Sequence, residues 1–182
     1  NFLRYCTAIT IISHFSRYSP PNSNIPTKNG KIIFEGGIMK FEKMKEIRET
    51  KELKQWQIAN ELKVDRSTYA GWETGKDTIP LRKLYELSNY YKISIDYITG
   101  LSKKNNYIYS GDSIDLNRVA KNLKKLRIDN NLKQRDIFNM LNIASSSYSV
   151  YETGQTLIQT SFIYQIAKKY NSSIDEIIKS ND

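Results

Sequence analysis

Apolar positions in this chain recur three and four residues apart in short blocks, with polar breaks between them. Met44 and Ile47 share one face of a Lys- and Glu-rich stretch ending near Thr50. Glu52-Leu53-Lys54 reads as a break, and Ile58, Ala59 and Leu62 then line one side of residues 55–62. After a tight turn at Lys63-Val64, Tyr69 and Trp72 fall on the inner side of 66–74. Leu84, Leu87 and Tyr91 follow, and then Ile95 and Ile98. This spacing predicts five short helices and almost no strand. The punctuation agrees: Asp65 is placed to cap the third helix with its carboxylate, and Gly75 to end it in a left-handed turn. Pro80 suits the first turn of the fourth helix, Ser94 can cap the fifth, and Gly100 closes it.

The whole pattern then occurs again. Residues 43–100 and 122–179 align at a constant offset of 79 without a gap. Leu53-Lys54-Gln55 returns as Leu132-Lys133-Gln134, Glu73-Thr74-Gly75 as Glu152-Thr153-Gly154, and Ser94-Ile95-Asp96 as Ser173-Ile174-Asp175. The second set of inward positions is Leu126, Leu132, Ile137, Leu141, Ile143, Tyr148, Tyr151, Ile163, Ile166, Tyr170, Ile174 and Ile177. A unit of about 60 residues is small but folds alone when it packs well. The period exceeds the ~20–50 residues of stacked solenoids, so two tandem domains are expected. Their bounds are 39–101 and 118–182, with 102–117 a short polar linker.

Residues 1–38 break the pattern, holding three of the four prolines and no helical periodicity. Their apolar patch is far shorter than the ~20 residues needed to span a bilayer, and they make a poor secretory signal. Glu35-Gly36-Gly37-Ile38-Met39 can be encoded by a purine tract just before an ATG. That suggests a start at Met39 and a spurious upstream leader before it; the other reading is a disordered tail.

Charge and chemistry narrow the function. The net charge is +9, which fits a polyanionic partner. It divides as +3 over 1–38, +2 over 39–101 and +4 over 102–182, so neither repeat is a dense basic block. The one Cys (Cys6) and the one His (His14) both precede the repeats, which leaves no thiol or imidazole there for a zinc site or a nucleophile–base pair. A single Cys fits a reducing cytoplasm. No metal, no cofactor and no enzymatic activity are expected.

Lys54-Gln55, Ile58-Ala59, Leu62, Val64, Ser67-Thr68-Tyr69, Trp72-Glu73 and Gly75, with Ile79-Pro80…Leu84…Leu87…Ile95-Asp96-Tyr97-Ile98, resemble the Cro/C1-type (XRE-like) helix-turn-helix family. The resemblance covers about 42–101 and again 121–179. It implies an all-α fold, two tandem five-helix lambda-repressor-like domains, and sequence-specific binding of double-stranded DNA by a transcriptional regulator, by family habit a repressor. The third helix of such a domain lies in the major groove. On that basis Arg66, Ser67, Thr68, Ala70 and Gly71 would face the bases in the first copy, and Ser145, Ser146, Ser147, Ser149 and Val150 in the second. Arg66 is the strongest single candidate, since a guanidinium bonds guanine O6 and N7 together. Gln55 and Gln134 would meet a phosphate or adjacent base, and Lys76 a phosphate. Arg48 with Glu73, and Arg127 with Glu152, are implied structural ion pairs bracing the first helix against the third.

The second copy departs from the pattern. Phe138 replaces the small Ala59 where the second and third helices cross, so the crossing must widen or the ring point elsewhere. Ala144 replaces Asp65 at the cap, an expected loss of ~1 kcal/mol. Asn142 suits a left-handed turn better than Lys63. Family members usually bind as dimers, so a homodimer is an expectation; no membrane association and no small-molecule effector are evident. The linker's polar run Ser102–Ser113, about 12 residues, reaches roughly 40 Å when extended, enough for both domains to occupy successive major grooves ~34 Å apart, in direct or inverted order. The alternative function is an antitoxin-like protein-interaction or dimerisation module in which one copy, or neither, reads DNA. Tyr90, Tyr91, Tyr107 and Tyr109 would be its anchors.

Overall fold

The computed structural model describes residues 40–107 and 113–178, and the backbone of three short stretches before them. Those stretches are strands β1 (Thr27–Lys28), β2 (Lys31–Phe34) and β3 (Gly37–Ile38). They pair antiparallel in order, with Thr27 opposite Ile32 and Ile33 opposite Ile38. Helical periodicity gives no sign of this pairing. The rest of the leader, Met39 included, lies outside the described residues.

The regular elements described after it are all helices. The first unit is α1 (Glu42–Thr50), α2 (Gln55–Glu61), α3 (Arg66–Thr74), α4 (Leu81–Tyr91) and α5 (Ile95–Thr99). The second is α6 (Leu116–Asp129), α7 (Gln134–Leu141), α8 (Ser145–Glu152), α9 (Thr160–Lys169) and α10 (Ile174–Ile178). Helix α6 starts inside the stretch read as linker, because Asp115 caps it by accepting from the N–H groups of Asn117 and Arg118. The preceding Ile114 is buried. The near end of the linker is docked too. Asn105 accepts from Ser94 N–H at 2.8 Å, and the Tyr107 hydroxyl donates to Asn89 at 3.0 Å.

The predicted inward positions of the first copy are all buried, from Met44 to Ile98. Phe41, Ile79, Leu81 and Tyr85 join them. In the second copy Ile137, Leu141, Tyr148, Tyr151, Ile163, Ile166, Ile174 and Ile177 are buried, while Leu126, Leu132, Ile143 and Tyr170 pack at the edge. Val119, Leu123, Ile158 and Phe162 complete this half. One continuous apolar cluster runs through both copies.

Two expectations about caps are corrected. The Asp65 side chain makes no capping hydrogen bond; it and Ala144 adopt the same extended backbone (φ/ψ −68/147 and −65/146), so the expected difference between the copies disappears. Pro80 stands at the N-cap of α4 rather than in its first turn. Gly75 ends α3 at φ 76, and Ser94 accepts from Tyr97 N–H to start α5. The turns at Lys63 and Asn142 both have φ 53. Ala59 is fully buried, whereas Phe138 is only partly buried at the edge of the core, so its ring is accommodated outward.

Candidate nucleic-acid interface

Helix α3 has two unlike faces. Tyr69 and Trp72 are buried and meet edge-on with ring centroids 6.2 Å apart, which anchors the helix on its inner side. On the outer side Arg66, Ser67 and Thr68 are exposed in the first turn, and Ala70 is half-buried. No carboxylate among the described residues pairs with Arg66. Gly71 is not on that outer side. It is buried where the chain folds back, its carbonyl accepting from Asp77 N–H, and a Cβ there would meet Asp77 Oδ2 at 3.1 Å. Its assignment to base contact is therefore withdrawn, because the returning loop covers it. Lys76 is exposed on that loop.

The angle of α3 is held from behind. Arg48 Nε donates to Glu73 Oε1 at 2.6 Å and Nη2 to Oε2 at 3.0 Å, while Nη1 donates to the Leu53 carbonyl at 2.8 Å. Gln55 Nε2 donates to Glu73 Oε2 at 2.9 Å. One carboxylate thus ties α1, the α1–α2 turn, α2 and α3 together. Burial works to raise the Glu73 carboxyl, but the hydrogen bonds from Arg48 and Gln55 overcome it and hold it below the usual carboxylate range. The amide nitrogen of Gln55 is committed to this network, so the side chain acts as a brace in the free protein.

The second copy builds the same network. Arg127 Nε and Nη2 reach Glu152 at 2.6 and 3.0 Å, Nη1 reaches the Leu132 carbonyl at 2.9 Å, and Gln134 reaches Glu152 at 2.8 Å. Helix α8 then presents Ser145, Ser146 and Ser147 to solvent, with Ser149 and Val150 half-buried. Tyr148 and Tyr151 are its buried side.

Three features were not singled out from sequence. Trp56, next to Gln55, is 50% exposed at the start of α2. Its equivalent, Arg135, is exposed beside Lys133 at the start of α7. Lys133 and Arg135 thus put two cations at the N-terminal end of α7, where helix N–H groups also point outward, and Arg135 lies 3.8 Å from Asp136. The third is the pair Asp96 and Asp175, both buried, whose repetition within Ser-Ile-Asp was the one available signal. Among the tyrosines proposed as partner anchors, Tyr91 is buried and Tyr107 packs against α4; Tyr90 is exposed, and Tyr109 lies outside the described residues.

Comparison with known proteins places this geometry in a class. A helix-turn-helix family model matches residues 44–98, and a helix-turn-helix domain model matches residues 120–182. The chain therefore belongs to the helix-turn-helix proteins, with two tandem domains of the Cro/C1 (XRE-like) type. It is similar to an uncharacterized HTH-type transcriptional regulator, YobD, of Bacillus subtilis (strain 168), at 33% identity over 64 residues. That match covers 35% of this chain and 57% of the relative. No solved structure matches. No helix among the described residues is long and apolar enough to cross a membrane.

Proposed function

We propose that the protein binds double-stranded DNA sequence-specifically through its tandem helix-turn-helix domains and regulates transcription from the cytoplasm, as a repressor. The observation that carries this reading is the outer face of α3. Arg66, Ser67 and Thr68 stand free on a helix whose opposite side is buried by Tyr69 and Trp72 and fixed by Glu73. Such a helix start can enter a major groove with little rearrangement, and a guanidinium there reads guanine by two hydrogen bonds. Lys76 supplies a phosphate contact that positions without specifying. Helix α8 contributes hydroxyls, which donate or accept and so discriminate less sharply. The membership of both units in the helix-turn-helix class, and a relative named as a transcriptional regulator, support the same reading.

The test is retention of genomic fragments by the full chain over a salt series. Selective retention of a few fragments, falling steeply with salt, is the expected result. Equal, weak retention of every fragment would leave non-specific charge attraction as the only interaction and end the proposal.

A further inference from the structure

The contacts between the two domains have a symmetry of their own. Asp96 Oδ1 accepts from Ile174 N–H at 2.8 Å, and its Oδ2 accepts from the Ser173 hydroxyl. In return, Asp175 accepts from the N–H groups of Ile95 at 2.9 Å and Asp96 at 2.8 Å. Asp96 and Asp175 are equivalent positions at the offset of 79, and so are Ile95 and Ile174. Each copy therefore presents the same patch to the other: position i of one meets position j of its mate, and j meets i. That reciprocity is the property of an interface with a two-fold axis and is not produced by head-to-tail stacking.

A cleft of about 350 Å³ repeats the relation, lined by residues 78–82 of one copy and 157–160 of the other, which are equivalent stretches. Two further contacts between the copies, without counterparts across the repeat among the described residues, hold the pair. Thr160 Oγ1 donates to the Ile79 carbonyl at 2.5 Å, and the rings of Phe41 and Tyr164 meet edge-on at 5.8 Å. The apolar cluster is continuous across the join.

Resting on the DNA-binding reading above, we infer that one molecule of this chain is a complete reader of a DNA site composed of two inverted, unequal half-sites. A two-fold axis between the domains relates α3 to α8, so the two helix starts approach DNA in opposite senses. Inverted half-sites about one helical turn apart then fit, and direct repeats do not. The patch around Asp96 is already covered by the second copy, so it is not open to a separate chain. The half-sites differ because the helices differ: Arg66 selects guanine in one, while Ser145, Ser146 and Ser147 tolerate more sequences in the other. Lys133 and Arg135 make the tolerant half a mainly phosphate-held one.

The experiment starts from a duplex selected by the full chain out of random-sequence DNA. Its two halves are then presented inverted, as a direct repeat, and singly, with stoichiometry read by sedimentation. One chain per duplex, with the inverted form bound at least ~10-fold more tightly than the other two, is the expected result. Equal affinity for inverted, direct and single half-sites, or two chains on each inverted duplex, would overturn the inference while leaving DNA binding intact. Selection of no duplex would overturn both. Hydrogen exchange in the free chain is a separate check on the pairing. The Ile95, Asp96 and Ile174 amides should be among the slowly exchanging ones, and exchange at open-chain rates would refute the docked pair without DNA.

Discussion

Asp96 and Asp175 each accept hydrogen bonds from the first turn of the other's helix. Two buried carboxylates at one junction would ordinarily repel. Here the backbone N–H groups of Ile95, Asp96 and Ile174 are aimed at them, and the oriented peptide dipoles of α5 and α10 favour negative charge at that end. The arrangement works only when both domains are docked, since neither carboxylate reaches its own helix start in this way. The junction is consequently a polar lock inside an apolar cluster, and its strength depends on protonation.

Burial, and then the charge of Asp96, push the Asp175 carboxyl up to about 7 from an ordinary value of 3.8, against the pull of the two N–H bonds. A carboxyl raised in the folded state gives stability that is complete below the unfolded value and is lost as pH rises through the folded one. Docking should therefore weaken between about pH 4 and pH 7, by at most ~1.4 kcal/mol per pH unit for one proton. Asp175→Asn removes the titration. Thermal melts at pH 5.5 and 7.5 should converge for that variant while the wild type loses stability at the higher pH. A wild-type profile as flat as the variant's would show that Asp175 does not titrate in this window.

Arg48→Met should destabilise the first domain by ~3–5 kcal/mol, since it strands the buried Glu73 charge. Replacing both partners, as Arg48→Met with Glu73→Leu, should cost less than either single change, because no unpaired charge remains. Urea melts of the four proteins form the cycle that measures this. The same logic applies to Arg127 and Glu152. In acid the sign is opposite to that of Asp175: a carboxyl held below its usual range contributes stability that fades as pH falls below about 4.

How far the sequence reached follows from the kind of force involved. Helix existence, order and inward faces were legible because apolar spacing reports burial directly, as at Ile58, Tyr69, Leu84 and Ile98. The Arg48–Glu73 pair was legible only through family resemblance, as residues 25 apart carry no local signal. Gly71 is placed outward by the family resemblance alone, and no spacing rule foresees the Asp77 loop folding over it. The Asp96–Asp175 lock was invisible for a similar reason. Each residue looks like a first-turn acid on its own helix, and only the docking of distant segments reveals where its oxygens go. The strand pairing from Thr27 to Ile38 gave no periodic cue in so few residues.

Three turns suggest a stabilising change. Positive φ occurs at Glu52, Lys63 and Lys92 in the first copy and at Asn131, Asn142 and Asn171 at the equivalent places in the second. Asparagine visits this region more readily than glutamate or lysine. Lys63→Asn should raise the stability of the first domain by up to ~1 kcal/mol, and Asn142→Lys should lower that of the second by a similar amount. Denaturant midpoints decide it; shifts with the opposite pairing of signs would mean that Lys63 and Asn142 are held by contacts of their side chains rather than by backbone preference.

Arg66 and Lys76 offer the sharpest division of labour on the outer surface, and their variants should fail in different ways. Arg66 stands exposed at the start of α3 and Lys76 on the loop beyond its end; in the proposed docking the first would face a base edge and the second the duplex backbone. Arg66→Ala should cost ~1–3 kcal/mol of discrimination at a single base pair, leaving affinity for unrelated DNA nearly unchanged. Lys76→Ala should weaken binding to all sequences alike and reduce the slope of log affinity against log salt by ~0.9. Measuring both variants on the selected site and on a scrambled duplex, each over a salt series, separates specification from positioning. Should Arg66→Ala lower the slope and leave base preference intact, Arg66 is a phosphate ligand and guanine selection falls to Ser67 and Thr68, whose shorter groups would have to approach the groove floor more closely.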